Sequence, residues 1–377
     1  MKNLIKKLNR IFQDYMREKR LKIGKYIWDR KDKVKILEGN GFLEENDIKS
    51  ILFLRYDGKI GDMVVNSLMF REIKKVYPNI KIGIVARGAA IDIIKDNPNV
   101  DKIYEYYKDR KKIKDLALKI KEEKYDLLID FSEMLRVNQM MLINLCGARI
   151  NIGLDRKDWK LFDLSIESGK DFKWTEHITK RYLAYLIKLG LKKENIDISY
   201  DIYLKDEKKY EVFFNEIKES KKLILNPYGA SKHKSFSIET LENIINYLKD
   251  KDIAIILVYF GDKYKELELL EKKYKYIYIP EKIESILDTA ILIKKSDYVI
   301  SPDTSIVHIA SAFNKKMITV YPPKGGKYGV DHLVWAPKSE YSKVIFCKDK
   351  TGNYDEIDIN TFNFDEMKKE ILKILEL

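Results

Sequence analysis

Cysteine is scarce in this chain of 377 residues, which holds only Cys146 and Cys347. Two cysteines cannot form a disulfide framework, so the sequence favours a reducing compartment, and we expect a cytoplasmic protein. Long apolar runs are also missing: the longest clean stretch, residues 253–260, is far shorter than the roughly 20 residues that span a bilayer. No apolar segment with a small-residue cleavage site indicates a secretory signal. The sequence therefore predicts neither a disulfide-rich secreted protein nor a membrane-spanning one.

Familiar cofactor and metal motifs are absent as well. The chain has no G-x-G-x-x-G, no Walker A sequence, no H-x-x-x-H, no C-x-x-C and no G-x-S-x-G elbow. Its four histidines are scattered. We therefore expect neither a bound cofactor nor a metal site.

Positive charge, by contrast, is plentiful and unevenly placed. Lys and Arg number 72 against 59 Asp and Glu, a formal net charge of +13. This excess implies an acidic partner such as a phosphate-bearing ligand, a nucleic acid or an anionic membrane. Residues 1–35 hold 13 Lys and Arg against 4 Asp and Glu, a net +9, so the rest of the chain carries only +4. No nucleic-acid fold signature follows this segment, and we expect no nucleic-acid partner.

The basic N-terminal segment has helical periodicity. Basic residues lie between apolar ones that share one helical face, namely Leu4, Leu8, Ile11, Phe12 and Tyr15. This pattern is typical of a helix on an anionic membrane surface. It is equally typical of a helix that packs on the body of the protein with its charges in solvent, and both interpretations stay open.

From residue 51 onward, short β-like runs alternate with longer helical ones. In the first series we predict strands over 51–55, 81–86, 102–106 and 125–131, and helices over 63–77, 111–123 and 135–145. In the second series we predict strands over 222–226, 253–260, 276–279, 298–301 and 317–321, and helices over 238–249, 264–273, 283–295, 305–313 and 364–377. Irregular and helical material is expected over 151–220. The alternation predicts an α/β fold with two Rossmann-like halves.

Length and pattern together indicate more than one domain. We divide the chain into a basic amphipathic extension (1–50), a Rossmann-like domain (51–200), a second Rossmann-like domain (201–345) and a tail with a helix (346–377). Open parallel sheets bind ligands at the carboxyl ends of their strands. The loops expected to carry function are therefore 56–62, 87–89, 131–136, 227–235, 260–263, 301–305 and 322–329.

Two of these loops combine small residues with charge. The first ends in Gly61-Asp62, where a helix is expected to begin; taken alone, Asp62 fits an N-cap carboxylate better than a general base. The second runs from Asn226 to Lys234 and holds Gly229, Ala230 and Ser231 beside two lysines. It fits a phosphate site or, rather better, a solvated basic turn.

A third loop precedes the helix that begins near Ser305. Asp303, Thr304 and Ser305 can each cap this helix, or its N-terminus can bind a diphosphate or a sugar. His308 follows one turn later on an otherwise apolar helix. A buried core histidine and a functional one fit that position equally well.

Taken in order, these segments resemble glycosyltransferase family 9, the lipopolysaccharide heptosyltransferases. The family pattern has R-x-x-x-x-G-D after a strand, then a P-G-A-like loop with K-x-W-P, and later a D-T-G-x-x-H-x-A block. The counterparts here are Arg55 with Gly61-Asp62, Pro227–Ala230 with Lys234-Ser235-Phe236, and Asp303-Thr304-Ser305 with His308 and Ala310. The resemblance covers about residues 51–325.

The resemblance implies a GT-B fold, in which two Rossmann-like domains face a central cleft and the C-terminal one holds the nucleotide-sugar. It implies inverting, metal-independent transfer of a heptose or related sugar, commonly from an ADP-sugar, to a lipopolysaccharide-core or similar lipid-linked acceptor. Asp62 matches the catalytic base, Lys234 the lysine on the donor diphosphate, and the donor-binding block is matched by Asp303, Thr304, Ser305 and His308. We expect Gly61 and Ser231 in the same cleft.

The sequence also departs from the family pattern. The loop before Asp62 is one residue longer, Ser305 replaces the glycine of D-T-G, and Phe236-Ser237 replaces W-P. Ser305 supports a second hypothesis, a non-catalytic nucleotide-sugar-binding or scaffolding relative at the membrane surface. Under either hypothesis we expect a cytoplasmic protein, and the membrane-surface interpretation of residues 1–35 would place it at the inner face of the cytoplasmic membrane.

Overall fold

Two parallel six-stranded sheets form the framework of the protein. The computed structural model describes residues 2–325, 329–348 and 357–375. In the first sheet the spatial order is β3-β2-β1-β4-β5-β6, and Ile51 of the central strand lies between Ile82 and Leu127 of its neighbours. The strands are β1 (Ser50–Arg55), β2 (Lys81–Ala86), β3 (Lys102–Glu105), β4 (Leu127–Asp130), β5 (Ile150–Leu154) and β6 (Leu164–Ile166).

The second sheet repeats this topology, with the order β12-β11-β10-β7-β8-β9. Its strands are β7 (Lys221–Leu225), β8 (Ile253–Leu257), β9 (Ile277–Tyr278), β10 (Tyr298–Pro302), β11 (Lys316–Tyr321) and β12 (Ser342–Phe346). In each sheet the chain reverses its direction of travel after the third strand, so β1 lies beside β4 and β7 beside β10. A crevice for ligands forms outside the carboxyl ends of the strands at such a switch point.

Helices cover the sheets and connect their strands. β8 is buried along its whole length, as expected where helices lie on both faces of a parallel sheet. The helices are α1 (Lys2–Trp28), α2 (Phe42–Glu45), α3 (Ile60–Val76), α4 (Ala90–Ile94), α5 (Arg110–Glu122), α6 (Val137–Cys146), α7 (Ile178–Lys188), α8 (Glu211–Glu216), α9 (Ile238–Leu248), α10 (Tyr264–Lys273), α11 (Ile286–Lys295), α12 (Ser305–Ala312), α13 (Asp331–Val334) and α14 (Phe364–Leu375). The predicted α/β fold with two Rossmann-like halves is confirmed.

Three strands have no counterpart in the sequence-based prediction: β5, β6 and β12. The expectation of irregular and helical material over 151–220 is wrong for β5 and β6. Asn151 and Gly153 interrupt the apolar run of β5, and β6 has only three residues, too few to show a period. The strand predicted over 253–260 ends at Leu257. Residues 326–328 of one predicted loop and residues 376–377 of the last predicted helix lie outside the described residues.

The N-terminal segment forms one long helix whose second half packs on the body of the protein. Leu21 and Trp28 contact the apolar cluster beneath α6, and the Lys25 ammonium lies 4.1 Å from the centre of the Trp159 ring. The carboxylate of Asp29 accepts a hydrogen bond of 2.8 Å from the backbone of residue 161. The packed interpretation is therefore confirmed for residues 21–29. The side chains at positions 4, 8 and 11 lie outside the described set. Within the described residues, no helix is long and apolar enough to cross a membrane.

Candidate active site

An apolar cavity of about 500 Å³ opens at the carboxyl end of the second sheet. Aliphatic and aromatic side chains in its wall include Val258, Tyr259, Phe260, Ile283, Ile286 and Ile306. Polar residues set among them include Ser285, Thr289, Thr304, Ser305 and two carboxylates, Asp92 and Glu284. Ile60 reaches the cavity from the other half of the protein. This size and lining suit a small organic ligand.

Asn226 joins the loops around the apolar cavity. Its side-chain amide donates hydrogen bonds of 2.9 Å to the Tyr228 carbonyl and 2.9 Å to the Ser301 hydroxyl. Because Asn226 and Ser301 stand at the ends of the neighbouring strands β7 and β10, this amide fixes the switch point. Thr304 is the N-cap of α12, with its hydroxyl accepting a 3.3 Å bond from the backbone of Ile306. Of the three predicted capping residues, therefore, Thr304 caps the helix, and Ser305 begins it.

The loop with Lys234 is folded back on itself. The Gly229 backbone N–H donates to the Ser235 hydroxyl at 3.0 Å, and that hydroxyl donates to the Ser231 carbonyl at 2.9 Å. A Cβ atom added at Gly229 would lie 2.0 Å from the backbone oxygen of Lys234, so only glycine fits there. Lys234 is half-buried, whereas Ser231 is exposed and lies outside the cavity wall.

Asp303 connects the Lys234 loop with α12. Burial raises the pKa of Asp303 to about 6, although the nearby Lys234 ammonium favours the charged carboxylate and Asp331 opposes it. Lys234 and Asp303 are thus electrostatic neighbours, and neither lines a cavity wall. Asp331 belongs to the wall of a second cavity, so this pair lies near the boundary between the two cavities.

The second, charged cavity has a volume of about 920 Å³ and opens at the carboxyl ends of β1 and β4. Six basic side chains line it: Arg55, Lys59, Arg87, Lys108, Arg136 and Arg181. Four acidic ones accompany them: Asp57, Asp62, Glu133 and Asp331. The sequence analysis named Arg55 as part of a motif and placed Arg87 and Arg136 in loops expected to carry function, but it did not identify Arg181, which lies on α7. The excess of cations suits an anionic ligand.

Asp62 lies in the first turn of α3 and faces the charged cavity. Its carboxylate is 2.7 Å from the Arg55 guanidinium, which is itself 3.2 Å from Asp57. Although burial disfavours the charge on Arg55, the neighbouring Tyr182, Asp57 and Asp62 raise the pKa of this guanidinium. Lys59, not Asp62, occupies the N-cap position of α3. The interpretation of Asp62 as an N-cap is therefore wrong, and a buried cation holds its carboxylate toward the cavity.

A network of buried polar groups fixes the loop after β4, which forms another wall of the charged cavity. The Tyr56 hydroxyl donates to the Asp130 carboxylate at 2.6 Å, and burial raises the pKa of Asp130. The Arg156 guanidinium donates to the Ser132 carbonyl at 2.7 Å. Arg181 pairs with a carboxylate of the same loop at 2.8 Å. None of these partners could be identified from the sequence, because each contact joins segments distant in the chain.

The first turn of α3 separates the two cavities and packs against α12. Ile60 faces the apolar cavity and Asp62 the charged one. Between them, Gly61 contacts His308: a Cβ atom added at Gly61 would lie 2.7 Å from Cδ2 of that ring. The candidate site therefore lies where the first turn of α3, in the first half of the protein, packs against α12 of the second half.

His308 is a contact between the two halves and is not part of either cavity wall. Its ring is buried between Tyr200 and Trp335. Burial lowers the pKa of His308 to about 3, with a further contribution from His177, so the imidazole is neutral at physiological pH. Of the predicted site residues, Asp62, Thr304 and Ser305 line the cavities, whereas Gly61, Ser231, Lys234, Asp303 and His308 belong to neither wall.

Among residues 2–325, 329–348 and 357–375, no group of three or more His, Cys, Asp or Glu side chains is arranged to hold a metal ion.

Comparisons with known proteins agree with this architecture. The model of glycosyltransferase family 9 (heptosyltransferase) matches residues 113–340. The putative lipopolysaccharide heptosyltransferase 4 of Escherichia coli (strain K12) is 24% identical over 332 residues, which cover 85% of this chain and 87% of that protein. Lipopolysaccharide heptosyltransferase 1 of Campylobacter coli is 23% identical over 335 residues, covering 84% and 95% respectively.

Solved structures share the fold. The glycosyl transferase family 9 structure from Veillonella parvula DSM 2008 superposes with a TM-score of 0.70 at 14% identity, covering 87% of this chain and 97% of that one. The E. coli heptosyltransferase WaaC with ADP gives 0.66 at 15% identity, covering 86% and 99%.

The two Rossmann-like halves of this chain therefore have the GT-B fold of these solved structures. Since the family model matches more than half of the sequence, the chain belongs to glycosyltransferase family 9 (heptosyltransferase). The predicted fold, family and enzyme class are confirmed.

Proposed function

We propose that the protein is an inverting, metal-independent glycosyltransferase that moves a heptose or related sugar from an ADP-linked donor to a lipopolysaccharide-core or similar lipid-linked acceptor. The observation that carries this proposal is the position of Asp62, on the one helical turn that separates an apolar cavity from a charged one. The apolar cavity receives the nucleotide and the charged cavity the acceptor. The names of the relatives, which are lipopolysaccharide heptosyltransferases, support this choice of substrates.

Asp62 is the general base. An inverting displacement needs one carboxylate to take the proton of the attacking hydroxyl while the diphosphate leaves from the opposite face of the sugar. The Arg55 guanidinium, 2.7 Å from Asp62, fixes the position of the carboxylate, one side of which lines the charged cavity. The acceptor hydroxyl binds on that side, within reach of the sugar carbon.

Lys234 and the start of α12 receive the departing diphosphate. The N-terminus of a helix offers free N–H groups and a positive dipole end to anions, and Ser305 of α12 lines the apolar cavity. Lys234 adds a full positive charge beside Asp303. Together they stabilise the charge that develops as the glycosidic bond breaks. Asp303, Thr304 and Ser305 form the donor-binding block, and His308 supports it from behind.

The non-catalytic alternative rests on Ser305 alone. A serine at the first position of α12 keeps its backbone N–H, so the anion-binding end of the helix survives the replacement of glycine. The intact placement of Asp62 and Lys234 supports an enzyme. The protein acts at the inner face of the cytoplasmic membrane, where lipid-linked acceptors are available.

The decisive experiment compares Asp62→Asn with Asp57→Asn. Both carboxylates pair with Arg55 and both line the charged cavity, but only Asp62 is assigned a proton. We expect Asp62→Asn to lower turnover at least about a hundredfold with little change in donor binding, and Asp57→Asn to keep most of the activity. Transfer is followed by mass spectrometry with ADP-heptose and a truncated lipopolysaccharide core. Near-normal turnover of Asp62→Asn would refute the assignment of the base.

Donor contact is tested with Lys234→Ala against Lys232→Ala, its exposed neighbour in the same turn. Loss of a charge-assisted contact to phosphate weakens binding by about tenfold or more, and we expect this only for Lys234→Ala. Thermal shifts with ADP-, UDP-, GDP- and CDP-sugars report the affinity, because a ligand of the native state raises its apparent stability. Equal shifts for both variants would remove Lys234 from the donor site.

A further inference from the structure

The N-terminal helix α1 presents two opposite faces. Leu21, Gly24 and Trp28 point toward the protein, since the first and last contact its core and Gly24 lies against Val137. Four apolar or aromatic residues on the other side are exposed to solvent: Phe12 (62%), Tyr15 (51%), Ile23 (60%) and Tyr26 (77%). At 3.6 residues per turn, these four fall within an arc of about 80° that is centred opposite Leu21 and Trp28. We call them the exposed stripe.

Cations accompany the exposed stripe. At the same helical spacing Lys19 lies within the arc of the stripe and Lys22 lies beside it, and both are exposed. The Lys19 ammonium lies 4.7 Å from the centre of the Tyr15 ring. Residues 1–35 carry a net charge of +9. A helix with a face of apolar, aromatic and lysine side chains has the composition that binds in the plane of an anionic bilayer.

The helix is fixed to the wall of the charged cavity. A Cβ atom added at Gly24 would lie 2.6 Å from a methyl group of Val137, so the two helices are in close contact there. Val137 and the two residues that follow it line the charged cavity. The side-chain amide of Asn144 on α6 donates to the backbone oxygens of Trp28 and Arg30 at 3.1 and 2.7 Å. The direction of α1 is therefore set by the same element that forms the cavity.

We propose that the exposed stripe seats α1 on an anionic lipid bilayer and so brings the charged cavity to the membrane surface. The acceptor role of that cavity rests on the function proposed above. A second copy of the chain is the poorer occupant, because two stripes face to face would bring their bordering cations together. A bilayer with anionic headgroups covers the apolar side chains and neutralises the cations at once.

The test uses a stripe variant with serine at all four positions (Phe12→Ser, Tyr15→Ser, Ile23→Ser and Tyr26→Ser). Its matched control carries Val212→Ser and Leu269→Ser, two side chains that are each 73% exposed elsewhere. Both variants are sedimented with phosphatidylcholine vesicles, with and without phosphatidylglycerol. We expect the wild-type chain and the control to bind the anionic vesicles, and the stripe variant to bind at least about tenfold more weakly. Its thermal unfolding should stay unchanged, because the replaced side chains are in solvent.

Equal vesicle binding by the stripe variant and the wild-type chain would overturn the proposal. If the wild-type chain forms a dimer, the stripe variant is monomeric and neither binds vesicles, the proposal is overturned in favour of a second copy of the chain. Transfer assays separate this inference from the proposed function. The stripe variant should match the wild-type rate on a delipidated core oligosaccharide and fall behind on acceptor embedded in vesicles. Vesicle binding without transfer to any acceptor would refute the proposed function and leave the bilayer contact standing.

Discussion

The contact between Gly61 and His308 predicts that the effect of Gly61→Ala on stability depends on the residue at position 308. A methyl group at Gly61 would lie 2.7 Å from the His308 ring, nearly 1 Å closer than the usual optimum of about 3.5 Å between carbon atoms. Neither side can yield easily, because His308 is buried between two other rings. Overpacking of this kind costs about 1–3 kcal/mol. Replacing a helical glycine by alanine stabilises the helix by up to about 1 kcal/mol, which offsets part of this cost.

We therefore expect Gly61→Ala to lower the free energy of unfolding by about 1 kcal/mol in the wild-type background. In a His308→Ala background the clash with the imidazole ring is absent, so only the higher helix propensity of alanine affects stability. There the same substitution should be neutral or stabilising by up to about 1 kcal/mol, a coupling energy near 2 kcal/mol. Urea unfolding of the four proteins measures this cycle directly.

Activity supplies a second readout of the same cycle. If α3 moves to relieve the clash, Asp62 moves with it, and a misplacement of about 1 Å can cost a hundredfold in rate. We expect kcat of Gly61→Ala to fall with little change in KM for the donor, and His308→Ala to restore part of it. Equal effects of Gly61→Ala on stability in both backgrounds, within about 0.5 kcal/mol, would refute the reasoning.

Two further predictions concern the donor loop and pH. Gly229→Ala should abolish measurable donor binding in the thermal-shift assay, because its methyl group would lie 2.0 Å from the Lys234 backbone oxygen and force the loop open. The exposed Lys232 of the same loop, which lies outside the cavity wall, offers Lys232→Ala as a control. For pH, the lowered pKa of His308, about 3, means that the unfolded chain takes up a proton below about pH 6.5 that the native state refuses. Stability from this group is complete above that pH and decreases on acidification, by about 2 kcal/mol at pH 5. The stability difference between the wild-type chain and His308→Gln should narrow by that amount between pH 7 and pH 5.

Each of these predictions has a clear contrary outcome. Donor affinity of Gly229→Ala equal to that of the control would mean that the loop tolerates the methyl group. A pH-independent difference between wild type and His308→Gln would mean that the histidine titrates normally in the native state.

Much of the fold could be predicted because its strands are short apolar runs between helices. β2 and α10 match their predicted bounds, and the loops at the strand ends do form the cavities. Strands β5, β6 and β12 escaped prediction because short or interrupted runs show no period. Their existence depends on pairing with a sheet that is already there.

The site was predictable in its residues but less so in their roles. Asp62 was identified by its place in an ordered set of motifs, yet its ion pair with Arg55 depends on the tertiary structure. The resemblance assigned His308 to the donor, whereas its ring turns away from the cavity and meets the other half of the protein. Helical periodicity gives the direction of such a side chain only when the neighbouring element is known.

The partition formed by the first turn of α3 also bears on the order of events in a catalytic cycle. Ile60 and Asp62, two positions apart, point to nearly opposite sides of the helix, one into each cavity. In the function proposed above, the nucleotide and the acceptor therefore bind on opposite sides of this turn, and the spent nucleotide need not pass the elongated acceptor as it leaves. A lipid-linked acceptor could then receive its sugar without the enzyme leaving the chain it has just modified.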